Sequence, residues 1–331
     1  MKKCLVCYED ILDEGHSLDY HKKCSKELFG SFPPPELEYT FEEVNDLAKK
    51  SVQKRLAVPG VQPKLSVAVE SLNLDDPRLS RLTIVGLLDG LFILKPPNKK
   101  FPELPEVEAL TMRLAEKCGI TTAKYGLIKF KSGEMAYISK RFDRALKRRK
   151  IFKIHQEDMC QLTGLLTENK YNSSMEKVVK VVKAHTDFVG LNLIELYQVV
   201  VHSFLIGNAD MHLKNFSLQY QEGGRIELSP AYDLVSTKVV MPEDKEEMGL
   251  AINGKKAKLK ARDFDAFADY CEISKKAQEN IYKNFEDKMP VIKETILNSF
   301  VSEDTKQNLL NLIVDRAARL KILTPEGFDE I

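Results

Sequence analysis

Ile206-Gly207-Asn208-Ala209-Asp210-Met211-His212-Leu213-Lys214-Asn215-Phe216 is the stretch that decides how the rest of this chain is read. Before it, Leu191 to Leu205 carries apolar residues at helical spacing. After it, Phe216 to Tyr220 reads as a strand, and a second strand, Arg225 to Leu228, follows Gly223-Gly224. The polar segment between is therefore a loop. Asp, His, Lys and Asn crowded into one loop are costly to bury and are rarely needed for packing, so the segment is a candidate for chemistry.

The Asp210-to-Asn215 interval matches the catalytic loop of protein kinases. There the Asp orients the acceptor hydroxyl and the Asn binds magnesium. Eighteen residues beyond Asn215, Pro230-Ala231-Tyr232-Asp233-Leu234-Val235-Ser236 places a lone acid in an apolar stretch. A second carboxylate there would hold a metal against phosphates. Upstream, Phe92-Ile93-Leu94-Lys95 would bury the stem of a lysine, and a buried lysine needs a partner. Glu106 and Glu108, near the start of the helix running to Lys117, are the two candidates. Val58 to Ser66 could form a turn over phosphates, although neither GxGxxG nor a Walker A sequence is present. Taken singly, Lys95 is a strand-edge lysine and Asp233 a turn cap. The order of turn, lysine, glutamate, Asp-x4-Asn and Asp is what carries the reading.

The chain has 331 residues, 43% hydrophobic and 30% charged, with a net charge of +1, so no global charge draws it to nucleic acid or membrane. The Lys147-Arg148-Arg149-Lys150 run reads as a solvated loop. No run of about 18 apolar residues is seen, and Glu9 and Asp10 make the N-terminus too acidic for a signal-peptide core. A cytoplasmic location is expected. The elements predict an α+β, two-lobed fold. Residues 1–40 form a small Cys/His appendage ending in Phe32-Pro33-Pro34-Pro35. Residues 41–140 form a β-rich lobe, and residues 141–331 a helical lobe beginning near Arg144.

Cys118, Cys160 and Cys271 are scattered in apolar contexts and read as buried thiols. Cys4-x2-Cys7 and His21-x2-Cys24, separated by 13 residues, have the spacing of a Cys3His zinc knuckle, with His16 an alternative to His21. Such a metal would be structural, because four protein ligands leave no open position.

The chain resembles the HipA-type toxin kinases of bacterial toxin–antitoxin systems. The resemblance rests on Gly60-Val61-Gln62-Pro63-Lys64, Phe92 to Pro96, Lys140 to Arg144, His155-Gln156-Glu157-Asp158-Met159-Cys160-Gln161, Gly207 to Phe216 and Pro230 to Ser236. It implies a protein-kinase-like fold and a serine/threonine kinase using ATP and magnesium. It places Gly60, Gln62, Lys64, Lys95 and Glu108 on the nucleotide, and Arg141 and Phe142 in the hinge beside adenine. Asp210 would be the catalytic base, with His212 and Lys214 shaping its loop and Asn215 and Asp233 holding magnesium. Only about 55 residues precede the Gly loop, which resembles the short HipT branch, whose missing subdomain is a separate protein, HipS. That implies a HipS-like partner, a DNA-binding HipB-like antitoxin and an aminoacyl-tRNA synthetase as substrate. Where the family autophosphorylates a serine in the Gly loop, this chain has Ala57 and Pro59, leaving Ser51 and Ser66 as candidate acceptors. A small-molecule kinase and a catalytically silent pseudokinase are the alternatives. The former usually carries His-Gly-Asp where this chain has Asn208-Ala209-Asp210.

Overall fold

The computed structural model describes residues 2–12, 19–53, 63–71, 80–85, 90–147 and 150–323. They divide between two compact units. The first comprises Met1–Ala109, Ala123–Lys153 and Asn298–Phe300; the second comprises Leu110–Thr122, Ile154–Leu297 and Val301–Ile331.

The first unit is built on an antiparallel five-stranded sheet. Its strands are β1 (Leu65–Ser71), β2 (Ser80–Ile84), β3 (Phe92–Lys95), β4 (Tyr125–Lys129) and β5 (Met135–Lys140), in the order β2-β1-β3-β5-β4. Register follows the apolar alternation. Leu65 lies opposite Leu94 and Leu94 opposite Ile138, and all three are buried. Two helices that the sequence reading did not assign precede the sheet, α1 (Lys22–Phe29) and α2 (Phe41–Gln53). Phe29 of α1 packs on Phe92 of β3, ring centroids 5.8 Å apart. The helix anticipated from Glu106 runs over Leu104–Lys117 (α3), and the boundary between the two units falls within it.

One expectation needs correction. The chain does not turn helical after Arg144. It forms a hairpin, β6 (Arg144–Lys147) with β7 (Lys150–Lys153), in which Leu146 lies opposite Ile151. The β-branched and aromatic pair Ile151-Phe152 favours a strand.

The second unit is mainly helical, with α4 (Met159–Leu162), α5 (Met175–His185) and α6 (Val189–Ile206). It also holds a three-stranded antiparallel sheet of β8 (Gln156–Asp158), which precedes α4, with β9 (Ser217–Tyr220) and β10 (Ile226–Leu228), in the order β10-β9-β8. Helices α7 (Thr237–Val240), α8 (Ala261–Tyr270), α9 (Lys275–Asp287), α10 (Met289–Asn298) and α11 (Glu303–Arg319) complete the chain. Serine caps set two of these helix starts: Ser274 accepts from Ala277 N–H and Ser302 from Thr305 N–H. By length and composition alone α6 could cross a membrane. However, 67% of it is buried in the protein, which is the signature of a core helix apolar on most faces. Its Leu196, Tyr197, Val200, Val201 and Phe204 are fully buried. Phe204 packs on Phe264 of α8, and Arg316 of α11 donates to the Phe204 carbonyl. Burial lowers the Arg316 pKa to about 10. Helix α6 ends at Gly207 and delivers the chain into the polar loop.

Candidate active site

In the second unit, the loop after α6 is held from several sides. Thr237, at the start of α7, accepts from Ala209 N–H at 2.8 Å and donates to the Gly207 carbonyl at 3.1 Å. Asn208, fully buried, accepts from Asp210 N–H at 3.1 Å. Gly249 lies against the loop, where a Cβ would stand 2.7 Å from the Met211 carbonyl and 2.8 Å from that of Ala209. Only glycine permits that approach. The loop's backbone is thus fixed by polar contacts rather than by apolar packing alone.

On this frame the Asp210 side chain is 44% exposed, and its Oδ1 accepts a hydrogen bond from the Tyr171 hydroxyl. Buried Asn215 donates through Nδ2 to the Asp210 carbonyl at 3.0 Å. That commits its NH2 end and leaves the amide oxygen as the atom suited to a hard cation. Lys214 pairs with Asp158 at 2.5 Å, while the other Asp158 oxygen caps α4 through Gln161 N–H at 3.0 Å. The Gln156-Glu157-Asp158-Met159 segment therefore anchors Lys214 of this loop. Lys170 donates to His212 Nε2 at 2.7 Å, which puts the imidazole proton on Nδ1. Burial, with help from Lys170, pushes the His212 pKa down against the pull of Asp210 and Asp233, so the ring is neutral.

Asp233 sits where the backbone is held on both sides. Ala231 N–H bonds the Thr121 carbonyl at 2.8 Å, and Thr111 Oγ1 donates to the Leu234 carbonyl at 2.6 Å. The Tyr232 hydroxyl reaches back to the Lys214 carbonyl at 2.7 Å. Asp233 itself has φ +58°, a left-handed conformation that costs a non-glycine residue roughly 1 kcal/mol or more. Burial raises the Tyr171 pKa, and the charges of both Asp210 and Asp233 add to it, so this phenol senses the two carboxylates together.

In the first unit, Lys95 and Glu108 form an ion pair of 2.5 Å with side chains only 6% and 2% exposed. Glu108, not Glu106, is the partner, and the Lys95 ammonium also lies 5.2 Å from the centre of the Tyr137 ring. Glu106 is instead pushed up to about 7, chiefly by burial, and its Oε2 is buried without a hydrogen bond. Arg141 grips Asp143 through two bonds of 2.9 and 2.8 Å, and Arg144 adds a third of 2.5 Å. Burial opposes the charged form of Asp143, but the two guanidiniums outweigh it and lower its pKa. Phe142 stands between these residues in sequence. Lys64 directly precedes β1 and is half-buried. Ser66 is buried within β1 and offers solvent no accessible hydroxyl. Gly60, Gln62, Ala57 and Pro59 lie outside the described residues, as does the side chain of Ser51 in α2. Elsewhere in this unit, donor atoms of Cys4, Cys7, His21 and Cys24 all lie within 4.8 Å of one another. His16 is outside the described residues.

Tyr171, Lys170 and Thr237 were not anticipated from sequence. Each acts on the loop across a long chain separation, and no local spacing marks it.

A β-sheet unit with a buried Lys–Glu pair, and a helical unit with an Asp-x4-Asn loop and a following Asp, define the protein-kinase-like fold of HipA. The chain belongs to that family: the model of the HipA-like C-terminal domain matches residues 56–291. A putative kinase of Haemophilus influenzae is 29% identical over 216 residues, covering 61% of this chain and 58% of that protein. The serine/threonine-protein kinase toxin HipA of Shewanella oneidensis is 30% identical over 216 residues, covering 60% and 47%. The chain thus spans about half the length of the curated relatives it matches. The solved structure of Shewanella oneidensis HipA, in complex with HipB and operator DNA, superposes with a TM-score of 0.67 at 22% identity, over 88% of this chain and 72% of that one. The proinflammatory kinase CtkA of Helicobacter pylori gives 0.54 at 16% identity, over 75% and 94%.

Proposed function

We propose that this chain is an ATP-dependent serine/threonine protein kinase that acts as the toxin of a toxin–antitoxin system. The observation that carries the reading is the construction of the Asp210 loop. Its carboxylate is oriented by Tyr171, its carbonyl is held by Asn215, and a neutral His212 lies alongside. In this reading the acceptor hydroxyl hydrogen-bonds to Asp210. Its oxygen bonds to the γ-phosphorus as the bond from that phosphorus to the β,γ-bridging oxygen breaks. ADP leaves, and the hydroxyl proton passes to Asp210. Lys95, held by Glu108, neutralises phosphate charge, and Lys64, Gly60 and Gln62 belong to the turn over the phosphates. Arg141 and Phe142 are the hinge residues at adenine. The Asp233 carboxylate and the Asn215 amide oxygen are the hard oxygen donors that magnesium prefers, and the ion would neutralise charge on the phosphates. Lys214 stands by the transferred group.

The resemblance to HipA supports a HipB-like antitoxin and a HipS-like small protein as partners, an aminoacyl-tRNA synthetase as substrate, and action in the cytoplasm. The test is transfer of radiolabelled phosphate from magnesium-ATP to proteins of a cell lysate. A labelled band near the mass of a synthetase, lost in Asp210→Ala while ATP binding persists, is the expected result. A fall of about 10³-fold or more is expected for a group that acts in the transition state. Equal labelling by wild type and Asp210→Ala refutes the assignment.

A further inference from the structure

The four clustered cysteine and histidine side chains near the N-terminus belong to no part of the kinase reading. Two short pieces of chain carry them. Residues 3–10 form a hairpin: Lys3 bridges Asp10, Cys4 N–H bonds the Glu9 carbonyl at 2.9 Å, and Tyr8 N–H bonds the Cys4 carbonyl at 3.0 Å. Tyr8 takes φ +69°, so that Cys4 and Cys7 stand at one tip. The second piece is the first turn of α1, with His21 at the N-cap and Cys24 three residues further on. That position suits a thiolate, because a helix N-terminus favours negative charge.

The histidine's surroundings choose its ligating atom. His21 Nε2 is 3.2 Å from the Asp10 carbonyl, which only a protonated ring nitrogen can satisfy. The lone pair is then on Nδ1, which faces Cys7 Sγ at 3.2 Å. His21 N–H also points to Cys4 Sγ at 3.4 Å, a second-sphere bond to a sulfur. Three sulfurs and one nitrogen with no open position form the donor set of a structural zinc site.

The two pieces meet the sheet at one place. Strand β4 ends the order β2-β1-β3-β5-β4, so among the described residues its outer edge has no neighbouring strand. That edge is covered by the metal-ligand segment. Leu127 N–H bonds the Leu5 carbonyl at 2.9 Å, and the Tyr20 hydroxyl donates to the Leu127 carbonyl at 2.7 Å. Asp19 pairs with Lys129 at 3.0 Å. Gly126 in β4 makes room: a Cβ there would stand 2.9 Å from both Leu28 Cδ2 and Val6 Cγ2. An uncovered edge strand is a template for association, so the cover has a purpose.

We propose that Cys4, Cys7, Cys24 and His21 through Nδ1 bind one structural zinc ion, which locks the hairpin to α1 and so caps the β4 edge. The proposal does not depend on kinase activity. The test uses the full chain purified under reducing conditions from zinc-supplemented cells. The expected result is one zinc per chain. X-ray absorption should show three sulfurs at about 2.3 Å and one nitrogen at about 2.0–2.1 Å. Cys24→Ser should lower zinc content at least tenfold. Should that variant fold poorly, the wild type answers alone: chelation should collapse hydrogen-exchange protection in peptides covering β4, and added zinc should restore it. Chain free of zinc with all thiols titratable, a disulfide between any of the three cysteines, or another metal in its place would overturn the site. Unchanged β4 protection after full zinc removal would overturn the cap.

Discussion

Replacing Glu108 by Ala removes one half of the most deeply buried ion pair described in the first unit. Lys95 and Glu108 touch at 2.5 Å with 6% and 2% of their side chains exposed, so water cannot take the carboxylate's place without opening the core. Removing one member of such a pair costs about 3–5 kcal/mol, because the remaining charge is left poorly compensated in a low-dielectric site. In a unit of this size each kcal/mol lowers Tm by about 2–4 °C, which predicts a drop of about 6–20 °C. The double variant Lys95→Met/Glu108→Leu should recover most of that loss, since an apolar pair of similar volume is often as stable as a buried ion pair. It should not recover phosphoryl transfer. Thermal unfolding followed by circular dichroism on Lys95→Met, Glu108→Leu and the double gives a cycle, with a coupling of about 2 kcal/mol or more. A Glu108→Ala protein that melts within about 2 °C of wild type would refute the claim that this pair is dry and mutually dependent.

Other predictions concern the neighbours of these groups. Glu106 has its pKa raised from an ordinary 4.5 to about 7 by burial, so the folded protein holds a proton there that the unfolded chain releases. Stability from this group is therefore intact below about pH 4.5 and is lost as pH rises toward 7. Glu106→Gln should accordingly stabilise by about 1–3 kcal/mol at pH 8 and by nothing at pH 4, as read by urea unfolding at the two values. Tyr171→Phe removes the phenol that orients the Asp210 carboxylate. Phosphoryl transfer should fall by about tenfold, equivalent to one charge-assisted hydrogen bond, with ATP affinity unchanged; unaltered kcat/KM would remove Tyr171 from the site. Asp233→Ala should weaken magnesium-ATP binding itself in calorimetry, in contrast to Asp210→Ala.

How legible the molecule was in its sequence depends on how far apart the cooperating residues lie. The five-residue Asp210–Asn215 interval is local, and the structure gives it a direct bond from the Asn215 side chain to the Asp210 carbonyl. Lys95 was legible because Phe92-Ile93-Leu94 brings a lysine into apolar company. The choice between Glu106 and Glu108 was not, because two residues along a helix differ by about 200° and only the packing says which faces inward. Tyr171 touches Asp210 from 39 residues away, with no spacing to announce it. The pairing of Arg144–Lys147 with Lys150–Lys153 was hidden because the basic residues among them break the apolar alternation that marks a strand. Helix α1 is only eight residues long, and the metal-type donors around it leave little periodic apolar pattern to read.

The arrangement at β4 also sets an order of events during synthesis. All four clustered donors lie between Cys4 and Cys24, whereas Leu127, whose amide and carbonyl meet Leu5 and Tyr20, emerges roughly a hundred residues later. At about 5–20 residues per second, the ribosome exposes the N-terminal cluster some 5–20 seconds before the strand it covers. A cation captured in that interval would have the cap ready when β4 appears, so the sheet's open edge need never wait unguarded beside neighbouring nascent chains. Zinc supply in the growing cell would then influence the yield of folded protein rather than the rate of any reaction it performs.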